Sequence, residues 1–411
     1  MKAIVGGTLI DGTGLDPIPD CALLVDRERV VEVGPRDQVK YPADVEVIDV
    51  SGRTILPGLI DCHVHLAIHG HDPLTRAGLT WPFSYRVFLT AAAMGATLDA
   101  GYTTVRDGGR LGAGVKLAAE NGLVTGPRLV ISVNYISPTG GFADRRTPSG
   151  LLIPPDPDVP SGLANGVDGV RERVREMVRS GADVIKTFGS GALSGGPGHG
   201  ARNAEYTAGE IRALVDEARS LDRKVMCHCL GGPGIGRAVE AGVHSIEHGT
   251  HLSEHPDVVK AMADRGIFYV PTFSVYHSYR NAAMLPLRRL ADEAHRAHVE
   301  SFQLALHTGV KVAAGSDMGA SEQGSNALEL QLMVEAGMTP LQALGAATKT
   351  AAECLGLDKE LGTLEPGKLA DLLVVEGNPL EDFGLLQDQR RIAVVMKGGE
   401  ICVNRLYAAA R

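Results

Sequence analysis

The sequence predicts an α/β protein: a (β/α)8 barrel of the TIM type over residues 57–365, with a small flanking β-sandwich built from both chain ends, residues 1–56 and 366–411. Three observations predict it. Eight short apolar runs alternate with helical patterns through the middle of the chain, period-two segments occur at both ends, and 411 residues exceed what a barrel of about 250 needs.

At the N-terminal end the segments AIVGGTLIDG, CALLVDRERVVEVG and VEVIDV are short, alternating and separated by turn residues. The same texture returns in KLADLLVVEGNP (368–379) and RIAVVMKGGEICVN (391–404), after a turn at Pro366-Gly367. The eight central runs are LIDCHVHL (59–66), YTTVRDGG (102–109), RLVISVNYIS (128–137), DVIKTFGSG (183–191), KVMCHCLGG (224–232), VHSIEHG (243–249), IFYVPTFSV (267–275) and VKVAAGSDMG (310–319). Between them, segments such as VDGVRERVREMVRSGA (167–182) and TAGEIRALVDEARSLD (207–222) space their apolar residues for helices. No GxGxxG follows the early strands and no GxxxxGK[ST] occurs, which argues against a doubly wound nucleotide-binding sheet. Two long loops, 138–166 and 192–206, fit lids or binding loops.

Composition narrows the function. Hydrophobic residues at 44% and charged residues at 22% are ordinary for a globular chain. A net charge of -9, aromatics at 4% and the lack of any basic stripe argue against nucleic acid as a partner. No stretch approaches the roughly 18 to 20 apolar residues that cross a bilayer, and the N-terminus lacks a secretory pattern, so the expectation is a cytoplasmic protein with no membrane partner. The six cysteines do not make a disulfide framework in a chain of this size. In Cys227-His228-Cys229, strand alternation turns both sulfurs away from any site that His228 faces.

In such a barrel the site lies where the strands end. There fall His63, His65, Lys186, His228, His248 and Asp317. His63 and His65, two apart on a strand, share a face and can share an ion. A lysine buried at Lys186 is driven toward its neutral amine, which can react with CO2 to a carbamate that bridges two cations. His228 and His248 then complete a second ion, while Asp317 ligates the first and accepts a proton from water. Arg106-Asp107 is expected as a structural ion pair.

These motifs resemble the amidohydrolase superfamily, within it the imidazolonepropionase-related and prolidase-like (Xaa-Pro or Xaa-Arg dipeptidase-like) hydrolases. The resemblance runs from TLIDG through LPGLIDCHVHL, YTTVRDGG, DVIKTFGSG, VMCHCLG, HSIEHGT and AGSDMG to LGTLEPGKLADLLVVEGNP. It implies two divalent ions, usually zinc: His63, His65 and Asp317 on the more buried one, His228 and His248 on the second, and a carboxylated Lys186 between them. It also implies Asp317 as the catalytic proton carrier, a small-molecule amide such as a dipeptide or N-acyl amino acid as substrate, and a homo-oligomer. Prolidase-like relatives usually carry a histidine after Gly-Gly in the third loop and a tyrosine two places past the fifth-strand histidine. Here Phe142 and Leu230 stand at those places. The oxyanion is then expected to lean on Tyr135 or a loop donor, with Phe142, Leu230, His199 and Arg202 as substrate-binding candidates alongside it. His69 and His71 border the same rim. The alternative activity is cyclic-amidine hydrolysis or deamination at a ring C=N bond; the relatives that do this usually lack the bridging lysine. A scaffold that has lost its ions is disfavoured, because all six ligand positions are intact.

Overall fold

A computed structural model describes residues 1–69, 80–146, 149–154, 156–193, 198–281, 285–319 and 323–406, without the side chains of residues 286 and 287. His71 lies outside these. The N-terminal segments form β1 (Lys2–Val5), β2 (Thr8–Leu9), β3 (Cys21–Asp26), β4 (Arg29–Pro35), β5 (Glu46–Asp49) and β6 (Arg53–Pro57). The central runs give β7 (Leu59–Val64), β8 (Tyr102–Asp107), β9 (Arg128–Ile131), β10 (Tyr135–Ile136), β11 (Val184–Phe188), β12 (Lys224–Cys229), β13 (Ser245–His248) and β14 (Phe268–Val270). The C-terminal segment supplies β15 (Leu372–Glu376), β16 (Ile392–Lys397) and β17 (Glu400–Asn404).

The two ends of the chain build two sheets, ordered β4-β3-β1-β5 and β17-β16-β15-β6-β2. Alternation in β15 explains how they stack. Leu372 and Val374 join Ile4, Leu23 and Ile55 in a core shared by both sheets, while Leu373 and Val375 face the helical body. The central strands of the five-stranded sheet, β6, β15 and β16, are therefore buried on both faces, which is why they read as continuous apolar runs.

The central strands are all parallel, in sheets β7-β8-β9 and β10-β11-β12-β13-β14. Residues 310–319 form no regular strand, yet they bridge in parallel to both sheets, at Val312 with Tyr269 and at Met318 with Val64. Two expected strands are interrupted. The 128–137 run divides into β9 and β10 because Val133 turns to φ +62, a conformation that β-branched residues rarely adopt. The 267–275 run stops at Pro271, and Thr272 at φ +59 leads into a helix, Phe273–Arg280. A buried carboxylate, Glu329, accepts from the Phe273 and Ser274 backbone N–H groups at 2.9 and 2.7 Å and so caps that helix.

The expected helices form as Gly166–Arg179, which buries Val170, Val174 and Met177, and Ala208–Ser220, which opens on a Thr207/Glu210 capping box. Among the described residues no helix is long and apolar enough to cross a membrane.

Candidate active site

Strand β7 aims Asp61 and His63, with His65 just past its end, to one side, while Cys62 and Val64 enter apolar clusters on the other. Asp61 fastens this strand to the 310–319 segment. It accepts from the backbone N–H groups of His63 and Ser316, both at 3.0 Å, and from Asn326 Nδ2 at 2.8 Å. Burial pushes its carboxyl up to about 6. The two segments approach so closely that a Cβ on Gly315 would sit 2.9 Å from His63 Cβ and 2.4 Å from Val270 Cγ1, so only glycine fits.

The structure brings the six expected residues into one chain of contacts. His63 Nε2 lies 3.4 Å from Lys186 Nζ and 3.7 Å from Asp317 Oδ1. His65 Nε2 is 3.3 Å from Asp317 Oδ1, and His248 Nδ1 is 3.9 Å from Asp317 Oδ2. The His63 and His248 rings are 5.0 Å apart, and those of His248 and His228 are 4.4 Å apart. His63, His248 and Asp317 each offer a ligand atom, all within 4.8 Å of one another.

Electrostatics suit cation binding. Burial, then the Lys186 charge, pulls His63 down to about 4 and His228 to about 3. His248 falls well below the usual histidine range through burial and the imidazoles of His228 and His63. Burial also lowers Lys186. Asp317 resists the upward pull of burial because His63 and His65 hold it below the usual carboxylate value. Three imidazoles and an amine lowered by burial, with a carboxylate held below its usual value, form a donor set that fits divalent ions.

Behind the ligands stand groups that the sequence reading missed. Glu247 Oε2 lies 2.7 Å from His63 Nδ1, and its Oε1 accepts from Arg106 Nη2 at 2.9 Å and from the Ser245 hydroxyl. Against the desolvation of full burial, Arg106 and His63 hold Glu247 at about 2. This corrects the expected Arg106-Asp107 pair. Alternation sends the two apart: Arg106 reaches Glu247, while Asp107 accepts from the backbone N–H groups of Leu66 and Gly109 at 2.8 and 2.9 Å. Thr272 Oγ1 stands 2.7 Å from His248 Nδ1, and the Gly109 carbonyl 3.4 Å from His65 Nδ1. Asp61 shared parity with His63 and His65, and that was a readable signal. Glu247 and Thr272 gave none, since their partners are distant in sequence.

Strain concentrates at this rim. Among the described non-glycine residues, eight have positive φ, and five of these are Arg110, Val133, His248, Thr272 and Asp317.

An aromatic wall stands beside the second histidine pair. Phe188, two places after Lys186 on β11, packs 4.7 Å from the His228 ring, 5.2 Å from Phe142 and 5.8 Å from Tyr135. Phe142 is 44% exposed, so the wall opens to solvent. Leu230 is buried, its backbone N–H donating to Ser190 Oγ at 2.7 Å. His199 Nδ1 pairs with Glu205 at 2.8 Å. Arg202 is half exposed and forms an ion pair with Glu254. His69 Nε2 lies 3.4 Å from Thr90 Oγ1. The thiols of Cys227 and Cys229 are buried 3.5 Å apart in the main apolar core.

Parallel strands end in this cluster of candidate metal ligands, and comparison with known proteins gives the family. The chain belongs to the amidohydrolase family, whose model matches residues 54–402. It is 32% identical to the ochratoxinase of Aspergillus niger over 97% of this chain and 86% of that one. It is 27% identical to the imidazolonepropionase of Symbiobacterium thermophilum over 94% of this chain and 91% of that one. The crystal structure of a Xaa-Pro dipeptidase with bound methionine in its active site superposes with a TM-score of 0.87, at 30% identity, covering 97% of this chain and 99% of that one. The protein is a hydrolase acting on carbon-nitrogen bonds.

Proposed function

We propose that the chain is a binuclear metal-dependent hydrolase that cleaves the amide bond of a dipeptide or N-acyl amino acid. One observation carries this reading: four imidazoles, one carboxylate and one buried amine from five separate segments meet in a continuous set of contacts. The names of two relatives, an ochratoxinase and a Xaa-Pro dipeptidase, support it. In this reading residues 57–365 form a closed (β/α)8 barrel, and residues 1–56 with 366–411 form a β-sandwich.

His63, His65 and Asp317 would hold one ion, His228 and His248 the other, and a carboxylated Lys186 both; zinc suits these nitrogen and oxygen donors. When bound, two such cations supply Lewis acidity toward a carbonyl and lower the pKa of water. The rest is the work of the chain. Glu247 fixes the His63 ring so that Nε2 faces the centre. Asp317 takes a proton from the attacking water on Oδ2 and delivers it to the leaving nitrogen. Tyr135, Phe142 and Phe188 exclude water from one side and receive an apolar group.

Incubation with a library of dipeptides and N-acyl amino acids, read out as free amino acid, tests the proposal. Release from some members is expected. Ring opening or ammonia release with no amino acid from any member would favour the cyclic-amidine reading instead.

A further inference from the structure

We propose that Arg86 and Arg110, bridged by Asp156 beside Tyr135, form a subsite that binds the carboxylate end of the substrate; this rests on the amide-hydrolase reading above. Asp156 Oδ1 lies 2.6 Å from Arg86 Nη2, and its Oδ2 lies 3.5 Å from Arg110 Nη2. The three side chains are only 12%, 10% and 6% exposed. One buried carboxylate thus serves two buried guanidinium groups. Arg145 adds a third nearby, its Nε donating to the Ile153 carbonyl at 3.0 Å. Burial, then repulsion from Arg110, lowers the pKa of Arg145. Asp158, beside Gly112, lines the same cavity.

The shape fits the charge. Arg86, Arg110 and Asp156 line one part of a cavity of about 240 Å³ whose other walls include Phe83, Val87 and Leu111, so it can accept an apolar group carrying an anionic end. Arg86 Nε is buried and has no hydrogen-bond partner among the described residues. Guanidinium forks bind carboxylates bidentately, which suits this donor to that ligand.

The place fits the reaction. Arg110 follows Gly109, whose carbonyl faces His65 Nδ1 and whose Cα packs so tightly on Tyr135 that a Cβ would lie 2.6 Å from Tyr135 Cδ1. The Tyr135 ring in turn adjoins Phe142 and Phe188 next to His228. Arg110 has φ +71 and is held there by its backbone N–H donating to the Val133 carbonyl at 2.8 Å. A strained, buried arginine one residue from a group touching a candidate metal ligand is a specificity determinant in this geometry.

Calorimetric titration of the metal-loaded protein with L-phenylalanine and with 2-phenylethylamine, which lacks only the carboxylate, tests this without requiring any bond to be cleaved. The amino acid is expected to bind roughly 10- to 100-fold tighter, R110Q to erase most of that preference, and Arg110→Lys to keep part of it. Equal affinities in the unmodified protein would overturn the subsite. So would a preference that survives in R110Q, which would assign the carboxylate to the metal centre, or an equal loss for both ligands, which would make the arginines a latch for the 138–166 loop. Failure of the amide screen with the preference intact would instead remove the proposed reaction and leave the subsite standing.

Discussion

His63 leans on a buried charge network, whereas His65 just beyond it in the chain, and His228 and His248 on neighbouring strands, lean on neutral groups. Glu247, itself held by Arg106, orients His63. The second pair has a threonine hydroxyl on His248 and the Gly191 carbonyl 3.3 Å from His228 Nε2. A carboxylate behind an imidazole raises its basicity as well as fixing its orientation, and a hydroxyl or carbonyl does less. The first half of the site should therefore hold its ion more firmly, and the second half should exchange more readily.

The contrast can be broken or sharpened by substitution. The largest effect is expected at Lys186, which in the proposed centre serves both halves. Lys186→Ala should lower kcat/KM by at least about a thousandfold, with partial rescue by added acetate or propionate; full activity without an additive would remove the bridging role. Next comes Glu247→Gln, which frees His63 and strands Arg106 in the interior. It should weaken one ion roughly 10- to 100-fold in chelator competition and lower stability by about 3–5 kcal/mol in denaturant unfolding. Thr272→Val, which removes only a neutral partner of His248, should weaken the other ion about tenfold at most with little change in unfolding. If the two variants lost metal equally, the asymmetry would be wrong. The smallest effect belongs to Phe142→Ala at the open edge of the aromatic wall. KM for substrates with apolar side chains should rise about fivefold, about 1 kcal/mol, with kcat nearly unchanged.

Much of this was legible beforehand, and the reason is local. His63, His65, Lys186, His228, His248 and Asp317 sit in or just past short apolar runs, and period-two alternation turned His63, Lys186 and His228 inward, while His248 and Asp317 take positive φ. What the sequence hid depends on distance. Glu247 meets His63 across 184 positions, and Asp156 meets Arg86 and Arg110 from within a 29-residue loop whose path no periodicity reveals. The broken strands at Val133 and Thr272 were hidden for another reason. Both are β-branched residues that favour extended backbone, and tertiary contacts force them to positive φ.

Everything in the proposed mechanism turns on a pair of cations, so elemental analysis of protein purified without chelator is the most direct test. About two equivalents of divalent metal per chain are expected, falling to about one in a His228→Asn, His248→Asn double variant that remains folded. An active protein with one equivalent or none, or a double variant that keeps both, would contradict the account.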